Sequence, residues 1–166
     1  MKPGLIWNCF ISDSLVPVNF AHGYIFRNPL MLNFKSRGVI SYTVIELCSI
    51  SFNLSLCYQL QAVENNMNAF LLEKSLTLYE KILQIQMDEQ VHLGIFQNMC
   101  LVNNLAMVHL ALKNERKSRE CLDYVLSDII YLLECDCEGR TCHNLDGFIE
   151  NTIPLILSDS VMAPAA

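Results

Sequence analysis

The chain lacks a long uninterrupted apolar run, and this absence argues against a membrane-spanning helix. No stretch of about 18 or more uncharged apolar residues occurs among the 166 residues. The longest apolar region, residues 39–60, contains Glu46, Asn53 and several serines. A buried helix therefore explains this region better than a membrane span.

A recognisable export signal is also missing. The apolar run that follows Lys2 and Pro3 is too short for a secretory signal, and no small-residue cleavage site comes after it. We therefore expect a cytoplasmic protein, with the nucleus as the other compartment compatible with the sequence. In such a reducing environment the eight cysteines are expected to be reduced thiols.

Basic residues are scarce. The chain has 11 Lys and Arg against 17 Asp and Glu, which gives a net charge of −6 and a pI near 5.1. The longest basic cluster, residues 113–119, is interrupted by Glu115. Because binding to a phosphate backbone needs a basic patch, nucleic acid is not expected as a partner.

Catalytic motifs are missing as well. The sequence contains no phosphate-binding loop, no zinc-protease helix and no paired catalytic carboxylates. A Cys–His nucleophile could be drawn from Cys57, Cys100, His92 and His109, but no local signature supports it. Packing of these side chains in or on helices is the better interpretation, and we predict neither an enzyme nor a cofactor.

What the chain does contain is apolar and helical. Hydrophobic residues make up 52% and charged residues 17%, so most helices should be covered on two sides. Residues 1–38 are punctuated by prolines and are predicted to be extended, with a hairpin as one form. Residues 39–158 are predicted to be a helical domain, and residues 159–166 a flexible tail. The predicted helices cover residues 40–61, 68–86, 91–112, 115–133 and 145–157.

The second predicted helix carries two apolar stripes. One stripe holds Leu72, Leu76 and Tyr79, and the other Leu71, Leu78 and Ile85. A helix with two apolar stripes needs two neighbours, which a stacked array of helices provides and a single hairpin does not. The third predicted helix has no Lys, Arg, Asp or Glu, so it should be the most buried.

Residues 103–126 are typical of two amphipathic helices joined by a polar turn at Lys113 and Asn114. Their pattern resembles the tetratricopeptide repeat, a helix–turn–helix unit of about 34 residues. The matching positions are Leu105, Ala106 and His109 in the first helix, and Ser118, Leu122 and Val125 in the second. Leu105 and Ser118 are 13 residues apart, as the pattern expects. His109 stands where an aromatic residue is usual, and Val125 where alanine is usual.

A second, upstream copy of the pattern has a longer turn. Its positions are Leu54, Ser55 and Tyr58 in the first helix, and Ser75, Tyr79 and Ile82 in the second. Leu54 and Ser75 are 21 residues apart, and the polar residues 61–68 supply the additional length. The two copies together cover roughly residues 40–134.

The resemblance implies an all-α fold of stacked antiparallel helical hairpins, with a C-terminal capping helix and a non-helical N-terminal segment. It also implies a protein–protein interaction scaffold that holds a protein or peptide on its concave face. The candidate residues of this face are Asn53, Gln59, Asn103, Asn104 and Met107. An amide side chain has both a donor and an acceptor and can bind an extended backbone. The alternative is that these amides satisfy buried polar groups between helices.

One known ligand of such scaffolds, an acidic peptide C-terminus, does not fit this sequence. The resemblance places Phe52 and Leu56 where that binding mode uses Lys and Asn. The third predicted helix has no Lys or Arg either. A carboxylate clamp is therefore not expected.

Two other functions stay open from the sequence. Cys135, Cys137, Cys142 and His143 could bind zinc or act as a redox pair, although their spacing departs from the usual paired ligands. The chain could also be a structural part of a larger repeat protein. The sequence does not indicate the partner or the oligomeric state.

Overall fold

A computed structural model describes residues 23–30, 41–135 and 145–161. Within these ranges the chain forms five α-helices and no β-strand. The helices are α1 (Ser41–Glu64), α2 (Ala69–Glu89), α3 (Ile95–Ala111), α4 (Glu115–Cys135) and α5 (Asp146–Val161). The prediction of an all-α fold is confirmed for these residues.

The observed helix bounds lie within four residues of the predicted ones. α1 continues to Glu64, so part of the segment predicted as a polar turn is one further turn of helix. α5 continues to Val161, into the segment predicted as a tail. Residues 23–30 form neither helix nor strand. The rest of the N-terminal segment with its proposed hairpin, and tail residues 162–166, lie outside the described residues.

Local sequence signals set the ends of α2. The side chain of Asn68 accepts a hydrogen bond from the backbone N–H of Leu71, which satisfies a donor that the first turn leaves without a partner. At the other end, Gln90 adopts a left-handed conformation with φ of 50° and donates its N–H to the carbonyl of Gln86. Local hydrogen bonds therefore cap both ends of α2, and its apolar faces determine how it packs.

Each helix packs mainly against its neighbour in the chain. The most extensive contacts join α1 to α2 and α3 to α4, and α4 also packs against α5. α2 contacts α3 in addition to α1, so it has two helical neighbours, the number that its two apolar stripes predict. Where α1 meets α2, Ser55 and Ser75 are fully buried and their hydroxyls are hydrogen-bonded to each other.

α3 lies at the centre of the described structure. All residues from Met99 to His109 are buried, including the amides Asn103 and Asn104. The prediction that this helix is the most buried is confirmed. Since α3 has buried polar groups on one of its faces, that face must contact a hydrogen-bonding partner rather than apolar side chains alone.

None of the helices in the described part of the chain combines the length and the hydropathy needed to cross a bilayer.

Candidate functional site

Residues 23–30 form an extended segment that crosses three helices, and we call it the crossing segment. Its backbone is hydrogen-bonded to α5 at Tyr24, to α3 at Phe26 and to α1 at Leu30. The segment bends at Asn28, immediately before Pro29. It therefore links the first, third and fifth helices, which are not consecutive in the chain.

One asparagine from each of the three helices binds the segment through both of its amide atoms. Asn151 accepts from the N–H of Tyr24 and donates to its carbonyl, at 2.8 Å in each case. Asn104 binds Phe26 in the same way, at 2.8 and 2.9 Å. Asn53 binds Leu30 at 2.8 and 3.1 Å. We call the surface formed by Asn53, Asn104 and Asn151 the asparagine face.

The repeated arrangement has a simple chemical basis. In an extended backbone the N–H and C=O of one residue point to the same side, as in the hydrogen-bonded pairs of a β-ladder. A carboxamide carries a donor and an acceptor with matching separation, so one side chain can take the place of a partner strand. The contacts engage backbone atoms alone, and they would fit an extended chain of another sequence.

Further polar side chains position the asparagines. Asn103 donates to the carbonyl of Tyr24 at 3.1 Å and accepts from Asn151 at 2.6 Å. Gln59 donates to the backbone carbonyl of Asn104 and accepts from the hydroxyl of Tyr79. Burial raises the pKa of Tyr79, so its hydroxyl stays protonated and remains a donor. The amides therefore belong to a connected buried network with its own internal partners.

Apolar contacts accompany the backbone contacts. Phe26 lies among three aromatic rings, one from each crossed helix, at centroid distances of 5.8 to 6.5 Å; they are Phe52, Phe96 and Phe148. Leu30 is buried as well, whereas Arg27 and Pro29 are exposed. Tyr24 packs edge-on against Phe148 at 5.2 Å, and burial raises its pKa to about 12. The segment is thus bound through its buried apolar side chains as well as through its backbone.

Two glycines provide the space that the segment needs. Gly23 has a φ of +70°, and a Cβ there would collide with the sulfur of Met107. A Cβ on Gly147 of α5 would overlap the ring of Tyr24. The first glycine allows the backbone to enter the asparagine face, and the second allows an aromatic ring to lie directly on the helix.

The favourable and unfavourable contributions to holding the segment are of similar size. Its seven hydrogen bonds to asparagine side chains contribute about 1 kcal/mol each. Its three buried apolar side chains, Ile25, Phe26 and Leu30, contribute about 2 kcal/mol each. Ordering eight residues costs about 1.5 kcal/mol per residue. The gain is about 13 kcal/mol and the cost about 12 kcal/mol, so a small net free energy holds the segment in place.

Four of the five residues predicted for a peptide-binding face contact the crossing segment. Asn53, Asn103 and Asn104 hydrogen-bond its backbone, and Met107 lies against Gly23. Gln59 instead bonds to α3 and to Tyr79. That these residues bind a partner stays a prediction, because the chain that they hold here is their own.

Sequence reasoning missed Asn151. Its two counterparts share a short motif, Asn-Leu-Ser at 53–55 and Asn-Leu-Ala at 104–106, whereas Asn151 is followed by Thr152 and Ile153. The signal that could have found it is the type of residue alone. Asparagine is unfavourable in the middle of an apolar helix unless its side chain has a partner.

The alternative metal or redox site falls mostly outside the described residues. Cys137, Cys142 and His143 are not described, and Cys135 is the last residue of α4. Among the residues that the structure describes, no group of three or more His, Cys, Asp or Glu side chains could hold a metal ion. Cys48 is buried and Cys57 is exposed, and neither forms a disulfide.

Burial of His109 predicts a pH-dependent stability. His109 is 3% exposed, and its Nδ1 has no hydrogen-bond partner in the part of the chain described. Burial lowers its pKa below 6.5, and Lys117 adds to this, although Glu80 and Glu120 oppose it. As the pH falls, His109 is therefore protonated in the unfolded chain at a higher pH than in the folded chain. We expect the free energy of unfolding to fall as the pH drops below about 6.5.

Urea unfolding at pH 7.5 and 5.5 measures this effect. His109→Gln removes the titrating group, so its stability should change less between the two pH values than that of the wild type. The exposed His92→Gln variant is the matched control and should behave as the wild type does. Comparing variants cancels the contribution of Asp128, whose pKa burial raises and which acts in the opposite direction. Equal pH dependence in His109→Gln and wild type would contradict the prediction.

A scan against protein-family models and searches of the curated proteins and of the solved structures returned no match for this chain. The function is therefore argued from the asparagine face itself.

Proposed function

We propose that the protein is a non-enzymatic interaction scaffold, a short array of TPR-like helical hairpins that binds an extended peptide segment of a partner. The proposed binding surface is the asparagine face, which would correspond to the concave face of such an array. This function fits the excess of acidic over basic residues and the lack of catalytic motifs in the sequence.

One observation carries the proposal: three asparagines on three helices each engage the N–H and the C=O of a single extended residue. Such contacts bind any extended backbone, because they do not depend on side-chain identity. The buried backbone groups of the crossing segment need hydrogen-bond partners, and the same amide contacts would satisfy the backbone of another extended chain. The repeated two-atom contact therefore favours recognition of an extended chain.

A peptide-display selection tests the proposal. The bait is the full-length chain carrying Phe26→Ala and Leu30→Ala, which we call the released variant because both substitutions weaken the hold on the crossing segment. We expect it to enrich peptides from a random library. Adding Asn104→Ala should weaken the binding of each enriched peptide by about tenfold or more, since two hydrogen bonds to its backbone are lost.

Asn65→Ala is the matched control, because Asn65 is exposed and its side chain bonds only to Gln61 at the end of α1. Circular dichroism should show the same helix content in all of these variants. If no peptide is enriched over the unselected library, or if enriched peptides bind the Asn104→Ala chain equally well, the proposed function is wrong.

A further inference from the structure

We infer that the asparagine face is selective, and that its ligand is a partner segment with large apolar side chains placed as Phe26 and Leu30 are in the crossing segment. The crossing segment then acts as an internal competitor, which occupies the face until such a ligand displaces it. This inference rests on the proposed function and adds to it the class of ligand and the way in which access is controlled.

The selectivity follows from which side chains of the crossing segment are buried. Phe26 is 5% exposed, and its ring stacks on Phe148 and meets Phe96 edge-on. Leu30 is 7% exposed and lies where α1 binds the backbone. Arg27 and Pro29, in contrast, are exposed. A ligand bound by the same three asparagines would therefore be selected by its side chains at the positions of Phe26 and Leu30. The positions of Arg27 and Pro29 would accept any side chain.

The position of Tyr24 adds a third preference. Its ring lies on Gly147, which has no side chain to obstruct it, and against Phe148. An aromatic residue two positions before the phenylalanine would find the same space. The preferred ligand is thus an extended segment with the pattern aromatic–apolar–Phe–x–x–x–Leu, where x is any residue and the apolar position is that of Ile25, which is 4% exposed.

The crossing segment competes effectively with a partner because it is covalently connected to the helices that bind it. Only residues 31–40 separate the crossing segment from α1, so the segment remains close to the face even when it is released. A short connection of this kind gives an effective local concentration of about millimolar. A partner segment has to compete with this local concentration. Its apparent dissociation constant is the intrinsic constant divided by the fraction of molecules in which the face is free. Because the favourable and unfavourable free energies of holding the segment nearly balance, a partner segment can displace it.

Fluorescence anisotropy with a synthetic peptide tests the inference. The probe is a fluorescein-labelled octapeptide with the sequence of residues 23–30, Gly-Tyr-Ile-Phe-Arg-Asn-Pro-Leu. We expect the released variant to bind it about tenfold or more tightly than the full-length wild-type chain does. A probe with Phe26→Ala should bind the released variant about tenfold or more weakly, whereas a probe with Arg27→Ala should bind within about twofold of the parent.

The outcomes separate this inference from the proposed function. Equal binding of the Phe26→Ala and parent probes would overturn the selectivity and leave the backbone recognition standing. Equal binding of the parent probe to wild type and released variant would overturn the competition. If library peptides bind the released variant but the parent probe does not, the assigned pattern is wrong. If neither binds a folded released variant, the proposed function fails as well.

Two further measurements keep the result interpretable. If circular dichroism shows that the released variant is unfolded, the single variant Leu30→Ala replaces it, with the same comparisons and a smaller expected gain in affinity. Light scattering of the wild type over a range of concentrations tests whether a second copy supplies the ligand. Formation of a dimer that the parent probe dissociates would overturn the assignment to a different partner.

Discussion

Replacing Ser75 with leucine is expected to lower the free energy of unfolding by about 4 kcal/mol, a large fraction of the total for a domain of this size. Ser75 and Ser55 are both fully buried where α2 meets α1. Each hydroxyl lies within 3.0 Å of the other residue's backbone carbonyl, and the two hydroxyls are 3.0 Å apart. A leucine would push the helices apart and remove the hydrogen-bond partner of Ser55.

Thr77→Leu is the matched control for this substitution. Thr77 is exposed on the same helix, and its hydroxyl bonds only to the carbonyl of Glu73 within α2. We expect its stability to differ from the wild type by about 0.5 kcal/mol or less. Urea unfolding followed by circular dichroism measures both variants. A Ser75→Leu protein as stable as the Thr77→Leu protein would mean that the two helices do not approach closely at this point.

The second large effect is expected at Asn104, where alanine should cost about 3 kcal/mol of stability. Asn104 is fully buried and bonds to both backbone groups of Phe26 and to the hydroxyl of Tyr79. Truncation leaves the N–H and C=O of Phe26 without these partners in a buried site. It should also increase hydrogen exchange of the amides of Tyr24 and Phe26 more than that of amides in α2.

Asn104→Asp provides a sharper comparison than truncation. Aspartate keeps the shape and the acceptor for the N–H of Phe26, but it has no donor for the carbonyl and brings a buried charge. It should therefore be at least as destabilising as alanine. If Asn104→Asp were as stable as the wild type and kept the exchange protection of Phe26, the two-atom contact would not hold the crossing segment.

The helices could be predicted from the sequence because their signals are local. The apolar stripes of α2 repeat along one helix, and its N-cap Asn68 acts on a backbone N–H only three residues away. Such features need only the identity of neighbouring residues, which the sequence contains in full.

The crossing segment could be predicted only in part. The prolines of residues 1–38 indicated an extended chain, and the resemblance to the tetratricopeptide repeat placed Asn53, Asn103 and Asn104 on a surface for an extended backbone. No sequence signal indicated that the extended segment would bind to these amides. Asn151 is not part of a repeat motif, so the sequence did not place it beside the other asparagines.

The sequence by itself determined that this protein is helical, which helix would be most deeply buried, and that the amides of Asn53, Asn103 and Asn104 would need hydrogen-bond partners. Only the tertiary structure decided that residues 23–30 are those partners. The contacts of Phe26 with Asn104 and of Tyr24 with Asn151 join residues 78 and 127 positions apart. Contacts of that kind form only when α1, α3 and α5 present their asparagines on one surface, and this depends on the packing of all five helices together.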